Sequence, residues 1–176
     1  MTGSADTRLI LLRGNSASGK STLARSIRVA RPRGIAIIGQ DQLRREILNV
    51  REAAGNPTIG YIDLSARFAL DHGMHVIVEG ILYADIYGAM LTRLLSDHRG
   101  LSRCYRYDLS FEETARRHAS KSQADAYGPE KMREWWRDDD PLPDVSEQVF
   151  DNDLSLAAAK AQVLADCGWE AAPQNS

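Results

Sequence analysis

The segment Gly14-Asn15-Ser16-Ala17-Ser18-Gly19-Lys20-Ser21-Thr22 constrains this chain more than any other, because it stands directly behind the aliphatic run Arg8-Leu9-Ile10-Leu11-Leu12-Arg13. A run of that length and composition suits a strand buried on both faces. Two glycines bracketing small polar residues call for a tight loop, and Lys20 to Ala30 reads as the helix that follows. In this strand, loop and helix setting the pattern G-x-x-x-x-G-K-[ST] is matched in full. Backbone N–H groups converging in such a loop, with the positive end of a helix behind them, make a cradle for phosphate oxygens. Every residue from Gly14 to Thr22 is therefore a candidate nucleotide contact. Lys20 is placed to reach the β and γ phosphates, Ser21 to offer its hydroxyl to a Mg²⁺ ion bridging them, and Thr22 to add a phosphate contact. The competing reading is an ordinary Gly/Ser turn between a strand and a helix.

Further along, apolar runs at 34–39, 74–78 and 104–109 and a short one at 148–150 alternate with helical periodicity at 57–72, around Ile86, Met90 and Leu94, at 111–120 and at 155–167. Ser110-Phe111-Glu112-Glu113 matches a capping box at the start of the 111–120 helix. The alternation predicts an α/β fold of three layers, a parallel sheet flanked by helices, with ligands bound beyond the carboxyl ends of its strands. A length of 176 residues fits one domain. That domain is expected to span 1–170, with a helical lid candidate at about 112–140 and a flexible tail at 171–176.

Composition removes several classes. Lys plus Arg number 22 against 24 Asp plus Glu, a formal charge of -2, which gives no general attraction for nucleic acid. Cys104 and Cys167 are too few and too far apart for a disulfide framework or a metal pair, and His72, His75 and His98 form no metal-ligand pattern. With no long apolar run and no secretory pattern at residues 1–6, a cytoplasmic location and no membrane partner are expected.

Two carboxylates fall at the expected strand ends. Asp41, in Gly39-Gln40-Asp41-Gln42-Leu43-Arg44, sits at the mouth of the predicted cleft with Arg44 one helical turn later. Asp41 suits a general base toward an acceptor hydroxyl, with Arg44 holding a polar or anionic group of the acceptor. Alternatively, Asp41 caps the short helix that follows and Arg44 is solvated. Glu79 closes the third strand before Gly80 and suits either a metal-bound water or the acceptor, or is a simple strand-end charge. After the fourth strand, Arg117 and Lys121 stand one helical turn apart as a cationic grip on nucleotide. Arg133 and Arg137, read as sharing one face of a helix at 130–137 beside Trp135 and Trp136, either close over bound substrates or form a basic surface helix.

With these motifs the chain resembles the P-loop small-molecule kinases, a family that includes chloramphenicol phosphotransferase, the zeta-toxin kinases and phage polynucleotide kinase. The resemblance rests on Gly14 to Thr22, the Asp41-x-x-Arg44 element and the basic segment after the fourth strand. It implies a P-loop NTPase fold, ATP and Mg²⁺ as cosubstrate and metal, Asp41 as catalytic base, and lid arginines that stabilise the phosphoryl group in transfer. The leading expectation is thus a kinase for a hydroxyl-bearing small molecule. A polynucleotide 5′-hydroxyl acceptor is the alternative within the same chemistry, and a nucleotide-binding regulatory switch the alternative outside it.

Overall fold

A computed structural model of the protein describes residues 1–31, 33–119 and 128–169. The aliphatic run forms β1 (Arg8–Gly14), and the loop behind it opens α1 (Lys20–Ala30). Then follow β2 (Ile35–Gly39), a π-helical segment (Gln42–Ile47), α2 (Pro57–Asp71), β3 (His75–Gly80) and α3 (Ala84–Asp97). The chain continues through β4 (Leu101–Tyr107), α4 (Phe111–Ala119), α5 (Pro129–Glu134), β5 (Gln148–Phe150) and α6 (Leu156–Asp166). Lys121 and the 171–176 tail lie outside the described residues.

The five strands pair in parallel in the order β2-β3-β1-β4-β5. With β1 central, its side chains divide between two cores. Leu9 and Leu11 join Val76 and Val78 against α2 and α3, while Ile10 and Leu12 join Ile77 and Tyr105 against α1 and α6. Full burial of each such aliphatic side chain contributes about 1.5–3 kcal/mol, and the two-faced burial is what makes the strands continuous apolar runs rather than alternating ones.

Local signals set several of the boundaries. Asn56 caps α2, its side chain accepting from Thr58 N–H, with Pro57 in the first turn, where no N–H is missed. Ser155 caps α6 through Ala158 N–H. The capping box at Ser110 is only half made. Glu113 N–H donates to Ser110 Oγ at 3.2 Å, but the Glu113 carboxylate turns along the helix to Arg116 and Arg117.

Candidate active site

Three strand ends meet at one edge of the sheet. Gly14 follows β1 with φ +137°, and a Cβ there would stand 2.6 Å from the Tyr107 carbonyl oxygen. Only glycine lets the chain leave the sheet this close to β4. Gly19, at φ +109°, then turns the loop into the first residue of α1.

Lys20 is 6% exposed. Its ammonium folds back over the loop, donating to the Asn15 carbonyl at 2.7 Å and to Ser18 Oγ at 3.0 Å. The next residue, Ser21, donates to the Glu79 carboxylate, 3.0 Å from either oxygen. Strand alternation explains the meeting. Glu79 lies on the same face of β3 as Ile77, the face covered by α1, and its register places it between Leu12 of β1 and Gly39 of β2. A Cβ at Gly39 would come within 3.1 Å of Glu79 Oε1, so the glycine at the end of β2 leaves room for the carboxylate. A hydroxyl beside a single carboxylate is a hard, all-oxygen donor set. It suits a divalent cation that keeps waters and phosphate oxygens in its remaining positions.

Asp41 lies on the rim of the same cleft, a cavity of about 720 Å³ lined also by Ser21, Glu79 and Arg45. It is not the helix cap that sequence suggested as one option. Its backbone is already helical at φ −63° and ψ −39°, and its side chain makes no capping bond. Instead, Arg44 and Arg45 both reach Asp41 Oδ1, at 3.1 and 3.2 Å, and Oδ2 has no partner among the described residues. The segment is wound as a π-helix, with Leu48 N–H bonding the Leu43 carbonyl, and the two arginines stand three and four residues after Asp41, the helical spacings at which side chains meet. Such single π turns are frequent at functional sites.

Behind this rim lies a polar cluster that sequence reasoning missed. Buried Gln40 accepts from Leu82 N–H and donates to Glu52 and to Tyr87 Oη, while Glu52 also takes the Tyr87 hydroxyl at 2.6 Å and lies 3.3 Å from Arg44 Nε. Burial, and then the Glu52 hydrogen bond, push the Tyr87 phenol up to about 12, so it remains a donor. Glu52 thus meets Arg44 at Nε while Asp41 meets it at Nη2.

The basic segments divide. Arg117 reaches the phosphate loop, its Nη1 donating to the Ser18 carbonyl at 2.9 Å, while its Nε is held at 2.6 Å by Glu113. Hydrogen bonds from Arg116 and Arg117 pull the Glu113 carboxyl down to about 2. Arg133 and Arg137 do not share a helical face, because α5 stops at Glu134. Arg133 stacks over the Phe111 ring at 3.9 Å, and none of its contacts among the described residues is with the phosphate loop. Arg137 adjoins that loop through its backbone, exchanging hydrogen bonds with the Asn15 side chain, and its guanidinium lies over Tyr83 and 3.7 Å from Asp85.

One more charge is structural. Arg13, the last side chain before the loop, is 1% exposed and donates twice to the Leu82 carbonyl and once each to Asp140 and Glu147. No described helix is long and apolar enough to cross a membrane.

No family model matches the chain, and no curated protein matches it in sequence. Solved structures do match it over most of its length. A gluconokinase from Sinorhizobium meliloti 1021 is 20% identical, covering 94% of this chain and 91% of its own, with a TM-score of 0.63. The APS kinase of Mycobacterium tuberculosis, solved with AMPPNP and APS, is 19% identical over 92% of this chain and 96% of its own, with a TM-score of 0.66. A sugar kinase from Janibacter sp. HTCC2649 is 16% identical over 95% and 96%, with a TM-score of 0.69. What these proteins have in common with the chain is its architecture: a parallel five-stranded sheet flanked by helices, in the fold of the P-loop kinases.

Proposed function

We propose that the chain is an ATP-dependent phosphotransferase that moves the γ-phosphoryl group to a hydroxyl of a small molecule, with Asp41 as the base. The observation that carries this reading is Asp41 Oδ2, which has no partner among the described residues and lies on the rim of a cleft that also contains the Ser21 and Glu79 pair. The fold neighbours support it, since those named above are kinases and one was solved with AMPPNP and an acceptor.

In this reading the loop from Gly14 to Thr22 wraps the phosphates of ATP, and Lys20 exchanges its bonds to Asn15 and Ser18 for phosphate oxygens. Arg117, already on the Ser18 carbonyl, adds a second cation to the nucleotide. Ser21 and Glu79 are the residues that would hold Mg²⁺, directly or through its waters. When bound, the ion neutralises charge on the β and γ phosphate oxygens.

The acceptor oxygen attacks the γ phosphorus, the bond from that phosphorus to the β–γ bridging oxygen breaks, ADP leaves, and the acceptor proton passes to Asp41. Arg44 and Arg45 fix the carboxylate so that Oδ2 faces outward, a positioning role. Arg137 is the candidate to close over the transferred group, since its backbone is already tied to the loop at Asn15.

A polynucleotide acceptor would call for a continuous basic groove into Asp41. The cleft instead sets Arg25, Arg28 and Arg45 against Asp41, Glu46 and Glu79. Acceptor-dependent ADP formation, followed by mass analysis of the product, tests the proposal. A gain of one phosphoryl group on a hydroxyl compound supports it. ATP turnover that no acceptor stimulates would favour a regulatory switch.

A further inference from the structure

Asn15, the second residue of the phosphate loop, has both polar atoms of its side chain committed outside that loop. Its Nδ2 donates to the Arg137 carbonyl at 2.7 Å, and its Oδ1 accepts from the Arg137 N–H at 3.1 Å. The amide thus pairs with one residue as a neighbouring strand would, through both of that residue's backbone groups. Among side chains, Asn and Gln alone carry a donor and an acceptor on one planar amide, and Asn has the shorter arm. The backbone of the same residue faces the nucleotide side, where its carbonyl accepts from Lys20 Nζ at 2.7 Å.

The segment held by this clasp has two further anchors. Tyr83 Oη donates to the Trp135 carbonyl at 2.7 Å, and Asp140 Oδ2 accepts from Ala84 N–H at 3.0 Å and from Arg13 Nη2 at 2.9 Å. Those anchors belong to the end of β1 and to the chain leading from β3 into α3, whereas the clasp at Arg137 belongs to the phosphate loop itself. Arg137 is therefore held firmly by its backbone and lightly by its side chain. Its guanidinium lies over the Tyr83 ring and 3.7 Å from Asp85, in the first turn of α3, and both members of that pair are more than half exposed. Exposed pairs of this kind are weak and give way to a stronger anion.

Resting on the kinase reading above, we propose that Asn15 is a positioning residue that couples filling of the phosphate loop to the placement of Arg137. When Lys20 leaves the Asn15 carbonyl for phosphate oxygens, the Asn15 peptide is released to turn toward the nucleotide, and its side chain carries the Arg137 backbone with it. The Arg137 guanidinium then exchanges Asp85 for the phosphoryl group in transfer. The coupling runs through the Asn15 side chain, and the nucleotide itself uses the Asn15 backbone.

The test uses the full chain labelled with fluorotryptophan. Trp135 and Trp136 stand next to Arg137 and report on its backbone, while Trp169, packed on His75 and Arg31 at the opposite end of the strands, is the internal control. In the parent, Mg²⁺ with a nonhydrolysable ATP analogue should shift the fluorine resonances of Trp135 and Trp136 and leave that of Trp169 in place. Asn15→Leu keeps the volume and removes both bonds of the clasp. It should bind the analogue with a Kd within about threefold of the parent, less than the loss of one charge-assisted bond to phosphate, and lose the Trp135 and Trp136 response. Mg-ADP with aluminium fluoride, which stands for the phosphoryl group in transfer, reads the second half of the coupling. The gain in affinity on adding fluoride should fall by about tenfold in Arg137→Gln and in Asn15→Leu, and by no more in the double variant, because both changes remove one interaction. A Kd for the analogue raised by about tenfold or more in Asn15→Leu would make the side chain a nucleotide contact and overturn the inference. An intact tryptophan response, an intact fluoride gain, or losses that add in the double variant would overturn it as well, since a merely structural clasp lowers Tm and moves none of these. A parent that binds no ATP analogue would overturn the kinase reading, and the inference with it.

Discussion

Replacing Asp41 by Asn separates chemistry from structure at the residue where both were expected. The fold loses little. Asp41 makes no capping bond, so the substitution weakens only the contacts from Arg44 and Arg45 to a side chain that is 63% exposed. Exposed pairs of this kind contribute about 0.2–1 kcal/mol each, and the amide oxygen still accepts from either guanidinium. The stability loss should therefore stay below about 2 kcal/mol. At about 2–4 °C per kcal/mol for a chain of this size, Tm should fall by only a few degrees. The chemistry loses more, because an amide cannot take the acceptor proton. General-base contributions of about 10² to 10⁴-fold correspond to about 2.7–5.4 kcal/mol in the barrier. Turnover with the true acceptor, Mg-ATP affinity and a thermal melt on one preparation check all three terms. A kcat within a few-fold of the parent, with Tm also unchanged, would remove Asp41 from the mechanism and move attention to Glu79.

Lys20→Ala should lower turnover by at least about 10²-fold, since it removes the cation aimed at the phosphates; near-normal ATP turnover of the folded variant would contradict the assignment. Arg117→Ala should raise the Kd for nucleotide and leave acceptor binding unchanged, as isothermal titration with each ligand would show. Arg13→Met strands buried Glu147 and the Leu82 carbonyl, so a loss of about 3–5 kcal/mol is expected, seen as a Tm lower by roughly 6–20 °C. His75 and His98 are each pushed below the ordinary imidazole value, first by burial and then by nearby arginines, Arg31 and Arg8 for His75 and Arg8 for His98. Because the unfolded chain binds these protons more readily, their contribution to stability is complete above about pH 6.5. It is lost as pH falls through their lower folded values, and His98→Asn should flatten the dependence of Tm on pH in that window.

Local patterns in the sequence carried the sheet and its helices. The aliphatic runs and the Gly14 to Thr22 loop are short-range features, and α1 begins and ends where the pattern places it. The position of Asp41 beyond β2 was legible for the same reason. Its geometry was not: the helical conformation already includes Asp41, so the side chain makes no cap and instead takes the two arginines three and four residues on, and the π winding of that segment is something no residue type announces. Glu79 was named without its partner, since the bond to Ser21 joins residues far apart in sequence that meet only through strand register. The shared face expected for Arg133 and Arg137 assumed that helical periodicity continued past Glu134, where α5 ends. The tie from Tyr83 to Trp135 and the Gln40 and Glu52 cluster depend on loop packing for which sequence offers no period. The same holds for Arg13, which reads as the polar end of a strand until Asp140 and Glu147 are seen around it.

That buried arginine has a consequence for engineering. Asp140 and Glu147 are 127 and 134 residues away from Arg13 along the chain, yet all three, with the Leu82 carbonyl, form a single electrostatic joint. A chimera that grafts the segment from α5 to β5 of another protein onto this sheet would carry in carboxylates without their guanidinium, or leave the guanidinium without its carboxylates. Either mismatch places an unpaired charge in the interior, at the base of the nucleotide loop. Loop exchange between proteins of this fold must therefore treat Arg13 and residues 140–147 as one inherited module, transferred together or not at all.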